Sequence, residues 1–254
     1  MESRRRVLPG VNVFTTALTI AVNALSNTPL IGEKSVGEIS DAYPTLFTPA
    51  GYVFAIWGVI YTLLGVFTIY QALPTQRGKE FTERIGYVYL VSGLANSLWI
   101  VLWVREAIVA STGMMFVLLA SLLAIYRSLN IGEAPVPRGE QLAVHLPFSV
   151  YLGWITVAAI ANVAASLVAV NWGGGGISPA QWTMLMIGVA VLVAAIMIWT
   201  RGDVAYGLVV IWALVGILVK QQGALNVVYV AGIGAAIVGL VVSVKVVTAY
   251  RYRS

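Results

Sequence analysis

Ala50-Gly-Tyr-Val-Phe-Ala-Ile-Trp-Gly-Val-Ile-Tyr-Thr-Leu-Leu-Gly-Val-Phe-Thr-Ile-Tyr-Gln71 carries no charged residue. A helix of about 20 apolar residues spans the hydrocarbon core of a bilayer, with its backbone polar groups satisfied inside itself. This stretch has that length. Working outward, seven more apolar stretches follow the same rule, at about 11–28, 86–104, 107–126, 143–169, 181–199, 204–219 and 224–247. The seventh span in chain order, 204–219, is short and reads as tilted, broken or partly inserted. The composition agrees: 59% of residues are hydrophobic and 10% charged, against about 25% charged in a soluble domain. The expected fold is an all-α integral membrane protein with eight transmembrane helices. Little chain remains for a soluble catalytic domain, and no catalytic residue is assigned.

The net charge of +5 invites a nucleic-acid reading, which the placement of the charges opposes. Arg4, Arg5, Arg6, Arg77, Lys79, Arg84, Arg127, Arg138, Arg201, Lys245, Arg251 and Arg253 fall at the N-terminus, after even-numbered spans or near the C-terminus. Lys34, Arg105 and Lys220 fall in odd-numbered loops. That division is the positive-inside pattern for eight spans with both termini cytoplasmic. It predicts a multi-pass protein of the plasma (inner) membrane and no nucleic-acid partner. The basic start before an apolar run resembles a signal peptide. Asn12, Asn23 and Asn27 in that run, and the lack of a small-residue cleavage site, favour a retained helix.

Three features organise the chain. The loop from Pro29 to Pro49 is long, contains Glu33, Glu38 and Asp41, and has the length of a lid or binding loop. Gly173–Gly176 has no Lys-Ser/Thr after it and reads as a hinge rather than a phosphate loop. It separates a five-helix part, 1–170, from a three-helix part, 181–254, through a connector at 171–180. In the latter, Gly232 with Ala236 and Ala235 with Gly239 are small-residue pairs suited to close helix packing.

The spans are short of the groups that ion-coupled transport uses. The carboxylates lie in loops or at helix ends, with Glu106 and Asp203 in short turns. One histidine, His145, and no cysteine cannot build a conventional zinc or copper site. No metal is expected, and His145 reads as a packed or interfacial residue. Lys220 has no buried carboxylate near it in sequence to act as a Schiff-base counter-ion.

What the spans do carry is stripes. Asn12, Thr16, Thr19, Asn23 and Asn27 share one face of the first. Phe54, Trp57 and Tyr61 share a face of the second, and Ser92, Asn96, Trp99 and Trp103 a face of the third. Tyr151, Trp154, Ala158 and Asn162 do so in the fifth. Polar residues glue transmembrane helices, and Trp and Tyr gather at interfaces, so each stripe alone is explained by packing. Four converging faces would instead build an aromatic pocket with a few amide and hydroxyl groups. The expected site, between the second, third and fifth helices under the 29–49 loop, comprises Asn23, Trp57, Tyr61, Asn96, Trp99, Trp103, Tyr151, Trp154 and Asn162.

The same residues carry a family resemblance. Pro49-Ala-Gly-Tyr-Val-Phe-Ala-Ile-Trp57-Gly-Val-Ile-Tyr61 resembles the second-helix signature of the tryptophan-rich sensory protein/translocator protein family (TspO/MBR, peripheral benzodiazepine receptor-like). Asn96-Ser-Leu-Trp99 is similar to its third-helix motif. Tyr151-Leu-Gly-Trp154 through Asn162 is similar to its fifth-helix motif. The resemblance covers about 1–170 and implies a TspO-like five-helix bundle, to which three C-terminal helices are added. Pro49-Ala50 and Tyr52 stand where the family has Pro-Pro and Trp. The run from Phe54 to Trp57 is one residue short, which would turn Trp57 by about 100°. The fifth-helix proline sits earlier, at Pro147, and Ala158-Ala159 replaces the family's Ala-Thr.

What the resemblance implies about function is binding, sensing or transport of a hydrophobic small molecule, with a tetrapyrrole such as protoporphyrin or haem, or a sterol-like compound, as ligand. No cofactor is required. The implied partners are the lipid bilayer and that ligand, with a homodimer as a candidate assembly. Light-dependent porphyrin breakdown is an activity linked to the family and attaches here to Trp57 and Trp154. The alternative is a permease for a small neutral solute without ion coupling, motivated by the added helices and the glycine hinge.

Overall fold

In a computed structural model, residues 2–251 are described, with side chains over 7–249. All regular structure among them is helical. Eight long helices follow one another: α1 (Glu2–Leu25), α2 (Ile56–Ala72), α3 (Val88–Val104), α4 (Ile108–Ser128), α5 (Leu146–Ala169), α6 (Pro179–Arg201), α7 (Val204–Lys220) and α8 (Leu225–Arg251). Six segments, 7–25, 51–72, 108–128, 138–169, 179–201 and 225–249, are long and apolar enough to cross a membrane. α3 and α7 are apolar but only 17 residues long. In α3 the reason is local: Gly86, at φ 54, stops the short helix Glu80–Ile85 and delays the start of the next. The side chains of Arg4, Arg5, Arg6 and Arg251, and all of Arg253, lie outside the described residues.

The helices are apolar on their outer faces as well as inside. Val59, Val66 and Ile69 on α2, Leu94 and Leu98 on α3, and Leu192, Ile196 and Trp199 on α6 are exposed. Such surfaces are stable against acyl chains, and the polar residues turn inward instead. Asn12, Thr16, Thr19, Asn96 and Asn162 are all buried.

α3 packs against α1 on one side and α4 on the other, α4 packs on α5, and α2 bridges α5 back to α1. These five helices close a ring. The α1–α3 seam is tight because position 93 is glycine: a Cβ there would stand 2.3 Å from Thr15 Cγ2 and 2.9 Å from Thr19 Oγ1. α7 docks on α5 and on the turn before α2, while α6, α7 and α8 pack mutually. At this second seam a Cβ on Gly216 would meet Val53 Cγ2 at 2.2 Å. Ala50 donates its N–H to the Gly216 carbonyl at 3.0 Å, and Trp212 Nε1 donates to the Val53 carbonyl at 3.1 Å.

Proline placement shapes α5. Pro147 lacks the N–H that would bond back into the preceding turn. The chain enters through a π-helical turn, Gln141–His145, which shifts the bonding pattern just ahead of it. The glycine run forms a 3-10 turn at Gly174–Gly176, with Gly175 at φ 61, and Trp182 Nε1 donates to the Gly174 carbonyl at 2.8 Å.

The 29–49 loop holds a short helix, Val36–Ala42. Ser35 caps it, with its side chain accepting from the Glu38 N–H and Glu38 reaching back to the Ser35 N–H. Lys34 pairs with Glu106 at 2.7 Å, Tyr43 donates to the same carboxylate at 3.3 Å, and Asp41 pairs with Lys220. Trp103 Nε1 donates to the Val36 carbonyl at 3.2 Å. Gln221 donates to the carbonyls of Thr45 and Thr48, at 3.2 and 3.0 Å.

Candidate ligand pocket

A pocket of about 410 Å³ opens under helix Val36–Ala42. Asn23 lines it from the end of α1 and Ser26 and Asn27 from the turn after it, Phe54 from the 3-10 turn before α2, Trp57 and Tyr61 from α2, Ile100 from α3, and Ser35, Glu38 and Asp41 from the 29–49 loop. Its position differs from the expected one. It lies among α1, α2 and α3, with no α5 residue on its wall, because Phe54 and Trp57 occupy the α5 side. Both stand edge-on to Trp154, with centroids 6.1 Å away.

The local backbone sets the direction of Trp57. Gly51–Ala55 is a 3-10 turn, and α-helix begins only at Ile56. A 3-10 residue turns about 120° instead of about 100°. The chain therefore winds further on its way to Trp57 than an all-α-helical start would make it. From Trp57 onward the buried positions Trp57, Ile60, Leu64, Phe67 and Gln71 form one α-helical face.

The nine expected residues come together, in two layers. Asn23, Trp57 and Tyr61 touch the pocket. The other six support them. Trp57 stacks on Tyr61 and Trp99, at 5.6 and 5.3 Å, and meets Tyr151 edge-on at 6.2 Å. Trp99 stacks on Trp103 at 6.1 Å. Asn23 donates to Asn96 Oδ1 at 2.7 Å, and Asn96 donates to the Tyr151 hydroxyl at 2.8 Å. Trp99 Nε1 donates to Asn162 Oδ1 at 3.0 Å. The donors differ in what they are left with: Trp99 and Trp103 are satisfied, whereas Trp57 Nε1 and Trp154 Nε1 have no hydrogen-bond partner among the described residues. A buried indole N–H normally finds a partner.

The α1 stripe faces the bundle over most of its length. Asn12 Nδ2 donates to Gln71 Oε1 at 2.9 Å, and Thr16 Oγ1 shares hydrogen bonds with Thr68 at 2.7 Å and Tyr89 at 2.8 Å. Asn27 departs from the stripe: α1 ends at Leu25, so Asn27 sits in the following turn, exposed at the pocket mouth.

Some site residues were not singled out in advance. Gln71 and Thr68 extend the Trp57–Tyr61 face by further helical turns, and the 3.6-residue period alone would have found them. Ser35 and Glu38 are the two ends of a capping box, a signature visible in the sequence. Asp203 is buried between α6 and α7, accepting from the Tyr206 N–H at 3.0 Å and the Tyr126 hydroxyl at 2.9 Å. Nothing in its local sequence distinguishes it from an exposed turn residue. His145 is buried near the end of the bundle opposite the pocket, so it is not placed to ligate anything held there.

Charge at the pocket mouth is set by the lid. The Ser35 backbone N–H holds the Glu38 carboxyl below its ordinary value, and the Lys34 hydrogen bond does the same for Glu106. Lys34 is raised in return by Glu106. Near neutral pH Glu38 on the pocket wall is therefore ionised, as is the Glu106–Lys34 pair that ties the 29–49 loop down.

A helical bundle whose outer surface is apolar and whose amides and indoles turn inward defines an integral membrane protein. The chain belongs to the TSPO-like protein family, whose model matches residues 9–244, through α6 and α7 and most of α8. No curated protein and no solved structure matches it.

Proposed function

We propose that the pocket beneath Val36–Ala42 binds a planar, mostly apolar small molecule with a polar edge, for sensing or for passage through the membrane. The observation that carries this is Trp57: it lines the pocket, and its buried Nε1 donor is unpartnered. A ligand that packs against this aromatic wall and offers a carboxylate or carbonyl to Nε1 would satisfy that donor. Asn23 supplies a further amide at the wall. A tetrapyrrole carboxylic acid such as protoporphyrin, or haem, has the required face and edge, and a sterol-like ligand has the apolar body with a single polar group. Fluorescence titration of purified protein with protoporphyrin and with its dimethyl ester tests the reading. Saturable quenching in which the acid binds more tightly supports it, and equal binding of acid and ester removes the hydrogen-bonding role.

The second reading, a permease for a small neutral solute, is favoured by the polar ladder below the pocket. Asn23–Asn96–Tyr151, then Thr16–Thr68–Tyr89, then Asn12–Gln71 run down the inside of the ring. These groups offer successive hydrogen bonds to a passing solute and no carboxylate, histidine, lysine or arginine for coupling.

The membrane arrangement completes the proposal. All eight long helices cross, α3 and α7 with their ends close to the interface, and both termini face the cytoplasm of a plasma (inner) membrane. Residues 1–170 form the ligand-binding bundle, 171–180 the connector, and 181–254 a supporting extension. A homodimer is the proposed assembly.

A further inference from the structure

Where α5 and α6 diverge, a second and larger cleft of about 920 Å³ opens between α4, α5 and α6. We propose that it holds one phospholipid, with an acyl chain along the cleft and the headgroup at Lys220 and Asp41. Three observations converge on that occupant. The first is the wall: Phe116, Leu119, Ile160, Val163 and Leu167 make it apolar. Within a bilayer the molecules available to such a wall are acyl chains, and an empty cleft would forfeit the dispersion contacts of its lining. The second is depth. From Thr156 to Val168 the cleft follows α5 for about 18 Å at the α-helical rise, close to the half-thickness of the hydrocarbon core, about 15 Å. That fits one leaflet rather than a ligand crossing the whole membrane.

The third is polarity at one end. Beyond Val168 the lining changes to Trp172 and Trp182, which lean on each other at 5.4 Å, and then to Lys220, Asp41, Thr45 and Gln221. Indoles suit the headgroup level of a membrane. Lys220 and Asp41 pair with each other and are only partly covered, at 30% and 59% side-chain exposure. Together they present one charge of each sign, complementary to a zwitterionic headgroup: the ammonium of Lys220 meets the phosphate and the carboxylate of Asp41 meets the amine. Asp41 lines both cavities, but Trp57, Asn23 and Tyr61 line only the ligand pocket, so the cleft does not depend on the residues that carry that pocket's proposal.

The test uses the full chain in mild detergent, titrated with a phosphatidylethanolamine and with a diacylglycerol of the same acyl chains, bound lipid being counted by native mass spectrometry. The expected result is one tightly held phosphatidylethanolamine per chain, with diacylglycerol at least about tenfold weaker. Ala164→Trp and Val193→Trp fill the cleft from opposite walls, and each is expected to reduce retention about tenfold or more while circular dichroism stays helical. Lys220→Ala should weaken the phospholipid and leave diacylglycerol unchanged. Retention equal to wild type in both tryptophan variants would mean unspecific surface lipid and overturn the site. Equal binding of the two lipids by wild type, which needs no variant, would overturn the headgroup assignment.

Discussion

Trp57 concentrates the chemistry of the pocket at a single residue. Its ring is held by Tyr61, Trp99, Tyr151 and Trp154, and aromatic pairs contribute about 0.5–1.5 kcal/mol each beyond area burial. Its orientation is thus fixed before any ligand arrives. Trp57→Phe keeps a stacking face and removes the donor. A hydrogen bond to a charged acceptor is worth about 1.5–3 kcal/mol, so this variant should bind a carboxylate ligand about tenfold or more weakly and its ester almost unchanged, as read by equilibrium titration. Asn23 acts differently, as the first link to Asn96 and Tyr151. Asn23→Leu leaves Asn96 Oδ1 without its donor and should cost about 1–3 kcal/mol, seen as a lower thermal midpoint. An unchanged midpoint would show that the amide pair does not hold α1 to α3.

At the scale of elements, the lid helix Val36–Ala42 is tied by groups that titrate. Glu38 and Glu106 have folded-state values below the ordinary 4.5. Their contribution is fully present above that value and is lost as the pH falls through the lowered folded values. Lys34 is raised above 10.5, so its contribution holds below that value and is lost only as the pH rises through the raised one. A spin label at position 33 should therefore stay restrained across the neutral range and gain mobility below about pH 4.5. Glu106→Gln should free it already at neutral pH, since Lys34 and Tyr43 both depend on that carboxylate. Equal mobility in the variant and wild type would assign the restraint to Trp103 and the capping box instead. The elements also show what periodicity reveals. Helix faces are local patterns, and spacing placed each stripe on one face of its helix without saying how the faces meet. The side of Trp57 on which space remains depends on Phe54 and Trp154 meeting edge-on, a long-range packing outcome that no local period encodes. The burial of Asp203 likewise depends on Tyr126 coming from another helix.

For the whole molecule, the apolar length of the helices made the all-helical membrane fold legible in the sequence. The closure of five helices into a ring and the docking of α7 on α5 were not, because they depend on which small residues meet. Gly216 at the Val53 contact is one such meeting point. Gly216→Val should separate α7 from the start of α2 and lower the thermal midpoint, with a smaller effect for Gly232→Ala, whose added Cβ would come no nearer than 3.2 Å to Leu218. Topology is tested with reporter fusions: one at Gly78 and one at Gly174 should report opposite sides, Gly174 outside, and a shared side would remove the eight-span arrangement. The ligand pocket is tested most directly by titrating protoporphyrin against wild type, Trp57→Ala and Trp199→Ala. Trp199 is exposed on α6, far from the pocket in sequence and absent from its wall. Saturable binding to wild type, weakened about tenfold or more in Trp57→Ala and unchanged in Trp199→Ala, is the predicted result. Non-saturating uptake, or equal losses in the two variants, would contradict it.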